Sequence, residues 1–447
     1  MPSNIKNSNS DVGLIAPAIL LPKKGTNMYN WSTVACDQYT SDKAYWEDVE
    51  EITKLMPSTY DLMLPEIYLE DEDVEDRINK INDNMKKYVK DNFFVEYKNS
   101  FVLTRRKTPF SPTRTGLVVA LDLEEYDFTP GAKALIRATE GTVTERIPPR
   151  MKIRKNAILE MPHILILIDD PDKTVIEPVW KAVSDSKAAT CSDCVANNCN
   201  IDAITLYSTE LMKNGGHIEG YLVNEETENE AFNNVFKALC ALKEKSNGFL
   251  FAVGDGNHSL ASAKCHYENL KKSGLPCEKA RYALVELVNI HDEGIIFEPI
   301  HRVVFDADID NLFALMNKKG CVISADCCEK NDFTKDEYHS IPYVTSDSKG
   351  TVYIPKQLHT LAVGALQGIL DEFVSSTGVK IDYIHGDNET RKFGSEANNI
   401  GFLLPSMDKH DLFPAVDEKG ALPRKTFSMG EACEKRYYME CRIIADN

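Results

Sequence analysis

Residues 249–270 read FLFAVGDGNHSLASAKCHYENL, and this stretch sets the fold class. Phe249 to Val253 is a strand-length apolar run. Gly254-Asp255-Gly256 breaks it, and a helical pattern follows, expected from about Leu260 to Lys272. Strand, tight turn and helix in immediate succession form the building unit of a mixed α/β protein. Glycines let the backbone come close to a ligand and accept left-handed dihedrals. A helix start offers unpaired N–H donors and partial positive charge, which suit a phosphate. Asn257, His258 and Ser259 add side-chain donors beside Gly256. Asp255 stands at the strand end, where it can hold a metal ion or accept a proton. The same residues also suit an ordinary turn in which Ser259 caps the helix and Asp255 steadies the loop.

Other elements extend outward from this unit. Ile164 to Ile168 and Tyr282 to Asn289 read as buried strands, and Phe297 to Phe305 as a strand carrying His301-Arg302. Glu228 to Lys245 has Phe232, Val235, Phe236, Leu239 and Leu242 on one helical face. Thr40 to Leu55 and Asp71 to Val89 read as charged amphipathic helices. Tyr97 to Thr104 and Gly116 to Leu121 read as strands. Asn214-Gly215-Gly216-His217 is a turn signal, expected between a helix and the strand Tyr221 to Val223. Beyond about residue 310 the pattern becomes a smaller α+β unit, with helices near Leu312 to Asn317 and Leu361 to Val374 and short strands between and after them. The expected division is residues 1–308 as the catalytic region, with an insertion at about 172–248, and 309–447 as the C-terminal unit.

Composition narrows the function. The 447 residues are 43% hydrophobic and 27% charged, enough apolar material for a large core. No stretch approaches the roughly 18 apolar residues of a membrane helix, and the polar N-terminus carries no apolar signal core, so a cytoplasmic protein is expected. Lys plus Arg is 51 against 69 Asp plus Glu, a net charge of −18 that disfavours nucleic acid. An acidic protein that handles anions must concentrate its positive charge locally. Arg137 to Lys155 does so, with Arg137, Arg146, Arg150, Lys152, Arg154 and Lys155 against Glu140 and Glu145. Arginine suits phosphate through its planar donor fork, and a Glu among arginines suits a general base. A solvated, salt-bridged loop would look the same. Twelve irregularly spaced cysteines are expected to be reduced thiols. Cys191, Cys194 and Cys199 form a CxxCx4C cluster without an obvious fourth zinc ligand. His291-Asp292-Glu293, Asp169-Asp170 and Asp37 are weaker candidates, for each of which a turn or cap role is open.

Taken together, the two segments resemble an uncharacterised-domain family related to the free L-serine kinases of the ParB/sulfiredoxin-like superfamily. Asp255-Gly256-Asn257-His258-Ser259 is similar to the family's Asp-Gly-X-His-Arg phosphate motif, and Glu140-Gly141-Thr142 to its His-Glu-X-Thr motif. Ile15-Ala16-Pro17 resembles its opening, Pro299-Ile300-His301-Arg302 a Pro-Thr-His-Arg signature, and Pro423 to Phe427 its ending. The resemblance implies a ParB/sulfiredoxin-like core with large insertions. It also implies transfer of a phosphoryl group from ATP, ADP or pyrophosphate to L-serine, giving O-phospho-L-serine for cysteine or other serine-derived synthesis.

Carried over, Glu140 is the base and Asp255 the second catalytic acid and a ligand of Mg2+. Gly256, Asn257, His258, Ser259, Arg137, Thr142 and Arg150 bind phosphate, and Asp37, His301 and Arg302 bind substrate. A homodimer is compatible with this. Ser259 departs from the family's Arg and Thr139 from its His, and the two motifs lie 115 positions apart. No Walker or protein-kinase motif is present. A phosphate-binding hydrolase or sensor on the same fold is the alternative. Sulfiredoxin chemistry needs a cysteine in the phosphate loop, and none lies between Gly254 and Ser259.

Overall fold

The computed structural model describes residues 12–129, 131–141, 147–197, 204–325 and 337–446, with the side chains of 188–197 left aside. The chain divides into two compact units. Residues 1–296 with 430–447 form the first, and 297–429 the second.

The first unit is built on a ten-stranded mixed sheet. Its order is Thr205–Leu211, Gly216–Val223, Phe101–Lys107, Arg114–Asp122, Tyr282–Asn289, Leu165–Ile168, Phe251–Asp255, Ile136–Ala138 and Tyr126–Asp127, with Leu14–Ile15 on the far part of Arg114–Asp122. The central strands are covered on both faces, which explains their unbroken apolar runs. Along Arg114–Asp122, Leu117, Val119 and Leu121 pack on one face with helices Glu177–Asn197 and Asn229–Lys245 through Val179, Val183, Phe232, Val235 and Leu239. Val118 faces the other core with Trp31, Trp46, Ile78, Ile81 and Tyr437, supplied by helices Lys43–Thr53 and Val74–Lys90 and by the C-terminal segment. Asn214-Gly215-Gly216-His217 corrects an expectation. It closes a hairpin between two strands, Thr205–Leu211 and Gly216–Val223, rather than linking a helix to a strand.

The second unit is an antiparallel sheet in the order Val322–Ala325, Lys349–Pro355, Tyr338–Thr345, Ile400–Phe402, Phe297–Phe305 and Lys380–His385, with Phe427–Met429 against the start of Phe297–Phe305. Helices Ile309–Lys318 and Ala362–Thr377 close its core through Leu312, Met316, Leu366, Leu370 and Phe373. This is the smaller α+β unit read from the sequence. Its limits differ from the expected 309–447. Strand Phe297–Phe305 belongs to it because Lys380–His385 and Ile400–Phe402 pair with that strand. Residues 430–447 return to the first unit because Tyr437–Tyr438 pairs with Thr33–Val34 and Arg442–Ile443 with Leu159–Glu160. Among the described residues, no helix is long and apolar enough to cross a membrane.

Candidate functional site

Strand register brings the two sequence motifs together. Ile136–Ala138 runs parallel to Phe251–Asp255, with Ile136 opposite Phe251 and Ala138 opposite Val253. Glu140 and Asp255 each lie two residues past this last pair, so both leave the sheet at the carboxyl ends of adjacent parallel strands. That end of an open α/β sheet is where ligands characteristically bind. The junction is tied by side chains. The Thr139 N–H donates to Asn257 Oδ1 at 3.2 Å, and the Thr139 hydroxyl donates to the Val253 carbonyl at 2.6 Å. Asn257 is buried by this duty.

The turn is shaped by Gly256, whose φ of +81° is natural only to glycine. A Cβ there would also meet the Cα of Ile164 at 3.1 Å. The helix begins earlier than the sequence suggests, at Asn257, and runs to Lys272. His258 and Ser259 therefore lie inside its first turn, ahead of the first i−4 helical bond, which runs from the Leu260 N–H to the Gly256 carbonyl at 3.0 Å. Ser259 is not the cap. Gly256 holds that position, and the Ser259 hydroxyl is 2.8 Å from His163 Nε2. Asp255 Oδ1 accepts the Gly256 N–H at 3.0 Å, and its Oδ2 lies 3.1 Å from Lys435 Nζ. The Lys435 side chain is 11% exposed and that of Asp255 30%, a partly sheltered pair.

Two further segments complete the cluster. Leu165–Ile168 runs antiparallel to Phe251–Asp255 with Leu165 opposite Asp255, so His163, just before that strand, passes the turn. Tyr437 pairs with Val34, and the Ala35 N–H donates to the Arg436 carbonyl at 2.9 Å. That pairing carries Lys435 to Asp255 and sets Cys36-Asp37 alongside. The Tyr438 hydroxyl is 2.9 Å from His163 Nδ1 and accepts the Cys36 N–H at 3.3 Å. Helix Ile147–Arg154 contributes Arg150, which is ion-paired with Glu66.

The electrostatics follow from this packing. Burial opposes ionisation of Asp37, but the facing His163, the Gln38 amide, Lys435 and Arg150 outweigh it and hold the carboxyl below its ordinary range. Burial holds the His163 imidazole below its ordinary value against the pull of Asp37 and Asp255. Burial pushes the Cys36 thiol up to about 12, aided by Asp37 and Glu66, so it stays protonated.

Not every sequence candidate meets here. The Arg137 Nε donates to the Ala134 carbonyl at 3.0 Å, and its guanidinium covers the Phe249 ring at 4.4 Å. Those contacts lie at the N-terminal ends of the strand pair, opposite to Asp255. Thr142, Glu145 and Arg146 lie outside the described residues, as does Cys199, and nothing is described of the Cys191 and Cys194 side chains. His301 and Arg302 belong to the second unit. His301 accepts the Leu404 N–H at 3.0 Å on Nδ1 and faces Asp387 at 2.9 Å on Nε2. Arg302 is fully buried and donates to the Gln367 side chain and to the Ile300, Lys425 and Arg424 carbonyls. Asp169 faces His291 at 2.7 Å, and Asp170 accepts the Thr174 and Val175 N–H groups, as a turn residue does. His163, Lys435 and Tyr438 escaped the sequence reading. Only the cationic and aromatic grouping Lys435-Arg436-Tyr437-Tyr438 hinted at the last two.

The fit to Mg2+ rests on the donor set. Among the described residues, no three His, Cys, Asp or Glu side chains gather to hold a metal alone. Mg2+ in phosphoryl-transfer sites is usually held by one or two carboxylates plus the substrate's own phosphates. A partly exposed Asp255 beside the expected phosphate position suits that demand.

A groove of about 730 Å³ flanks the site's helices, lined by Val74, Ile78, Pro148, Met151, His266 and Leu270 among others.

The family model described as "Protein of unknown function (DUF1015)" matches residues 18–373. A search among curated proteins gives no match. Among solved structures, a conserved hypothetical protein from Pyrococcus furiosus is 10% identical, with 72% of this chain and 90% of that one covered and a TM-score of 0.36. A free serine kinase in complex with AMP is 10% identical over 72% of this chain and 87% of that one, TM-score 0.38. SbnI with a C-terminal truncation, from Staphylococcus aureus, is 10% identical over 69% and 84%, TM-score 0.34.

Proposed function

The chain belongs to the DUF1015 family, and from that premise we propose that it is a phosphotransferase, specifically a free L-serine kinase that makes O-phospho-L-serine from ATP, ADP or pyrophosphate. The observation that supports this reading is the strand register that brings Glu140 and Asp255 to the carboxyl ends of adjacent parallel strands, beside a helix start.

Phosphoryl transfer asks a protein for positioning and for neutralisation of charge on the phosphoryl oxygens, and for little covalent chemistry. The N–H groups of Asn257, His258 and Ser259 take the phosphoryl oxygens, and Lys435 supplies the fixed cation. Glu140 takes the proton of the serine hydroxyl. The ionised Asp37 matches the substrate's ammonium group. Asp255 would hold Mg2+, which screens charge between the donor phosphates. Arg137, His301 and Arg302 are spent on packing and carry no part of this proposal. Pyrophosphate would need only the turn.

The test is phosphoserine formation from L-serine with each donor in turn. Product with at least one donor is expected, and Glu140→Gln and Asp255→Asn should each slow it by about 100-fold or more. Absence of phosphoserine with all three donors would reject L-serine as the acceptor, and donor hydrolysis indifferent to serine would replace this reading with a hydrolase.

A further inference from the structure

We propose that Ser259 is itself phosphorylated during turnover, with His163 as its base, so that the phosphoryl group passes from donor to Ser259 and then to the acceptor hydroxyl. This presupposes the phosphotransferase reading above and names the route by which the group moves.

The geometry is that of an activated hydroxyl. A serine in a first helical turn normally spends its hydroxyl on its own helix, as a cap or by bonding back to a carbonyl. Ser259 does neither in its bond to His163, at 2.8 Å across 96 residues of sequence. Ser259 is half-buried and stands in the first turn of a helix, the end that suits a phosphoryl group.

His163 is in turn held by a third group, the arrangement that marks an activated nucleophile. Its Nδ1 faces the Tyr438 hydroxyl at 2.9 Å. That hydroxyl also accepts the Cys36 N–H at 3.3 Å. In the tautomer the proposal uses, the imidazole proton sits on Nδ1 and is donated to the Tyr438 oxygen, which leaves Nε2 bare towards Ser259. Burial keeps the imidazole neutral beforehand, and the Asp37 and Asp255 carboxylates favour the cation that forms when it takes a proton.

Ser259 Oγ attacks the terminal phosphorus of a phosphoanhydride donor and its proton moves to His163 Nε2. The anhydride P–O bond breaks, and its electron pair leaves with the departing phosphate or nucleotide. The acceptor hydroxyl then attacks the phosphorus on Ser259 and gives its proton to Glu140. The P–Oγ bond breaks, and Oγ recovers its proton from His163. Glu140 returns its proton to water.

The test is to mix the full-length protein with ATP, ADP or pyrophosphate carrying a radioactive terminal phosphoryl group, without serine. Acid quench and peptide mapping then locate the label. One labelled peptide containing Ser259 is expected. The label should be absent from Ser259→Ala, form at least tenfold more slowly in His163→Gln, and move to phosphoserine when L-serine is added. Phosphoserine made without label on Ser259 in the first turnover would overturn the proposal, as would a wild-type rate in Ser259→Ala or no label with any donor. Label on Ser259 with no phosphoserine would uphold the Ser259 step while rejecting L-serine as the acceptor.

Discussion

Thr139 and Asn257 are bonded to each other through the Thr139 N–H and the Asn257 side-chain oxygen, 118 residues apart in sequence. Each flanks a carboxylate that the proposed chemistry uses, Glu140 beside Thr139 and Asp255 two residues before Asn257. The bond therefore ties the two segments together beyond the last strand pair, Ala138 with Val253.

Asn257→Ala should break this tie while leaving the Ala138–Val253 register in place. A misplacement near 1 Å is enough to cost about 100-fold in rate. A fall in kcat of that order, with an unchanged circular dichroism spectrum, is the expected outcome of steady-state kinetics on the variant. A rate within twofold of wild type would show that the tie is idle.

Lys435 pairs with Asp255 and is the cation delivered to the turn by the C-terminal segment. A hydrogen bond to a charged group is worth about 1.5–3 kcal/mol. Lys435→Ala should therefore weaken donor binding by roughly 10- to 100-fold, read as a rise in the donor KM. The serine KM should change much less.

Arg436 lies buried between Glu286 at 3.3 Å and Glu440 at 2.5 Å. Gly116 makes room for Glu286, since a Cβ there would fall 2.4 Å from its carboxylate oxygen. Removing one partner of such a pair leaves buried charge uncompensated and costs about 3–5 kcal/mol. Arg436→Ala should lose that much in urea unfolding of the first unit. A loss below about 1 kcal/mol would show that the pair is compensated elsewhere.

Burial, aided by Arg154, holds His266 down at about 4 against an ordinary value of 6.5. Its folded-state pKa is depressed, so the unfolded chain takes up the proton first as pH falls. The stability it contributes is present above about pH 6.5 and is lost between there and about pH 4. Melting temperatures measured from pH 7 to pH 4 should fall more steeply for wild type than for His266→Gln. Parallel curves would contradict this.

The sequence showed the parts of the fold whose hydropathy is simple. Phe251–Asp255 and Tyr282–Asn289 were legible because burial on both faces gives nearly continuous apolar runs. Ile136–Ala138 was not, because a three-residue strand centred on a buried Arg137 has no period to read. Arg436, Glu440 and Arg442 are charged yet buried, because each charge meets its opposite, Arg442 with Glu160 at 2.7 Å. Within the site, the turn and Glu140 were legible as types in sequence. Lys435, His163 and Tyr438 were not, since only the pairings of Tyr437 with Val34 and of Leu165 with Asp255 bring them there.

The most direct measurement is a crystal structure of the protein soaked with pyrophosphate. The account predicts a phosphate on the N–H groups of Asn257, His258 and Ser259, touching Lys435 and within reach of both Glu140 and Asp255. Phosphate bound elsewhere, with that turn left to water at saturating pyrophosphate, would contradict it.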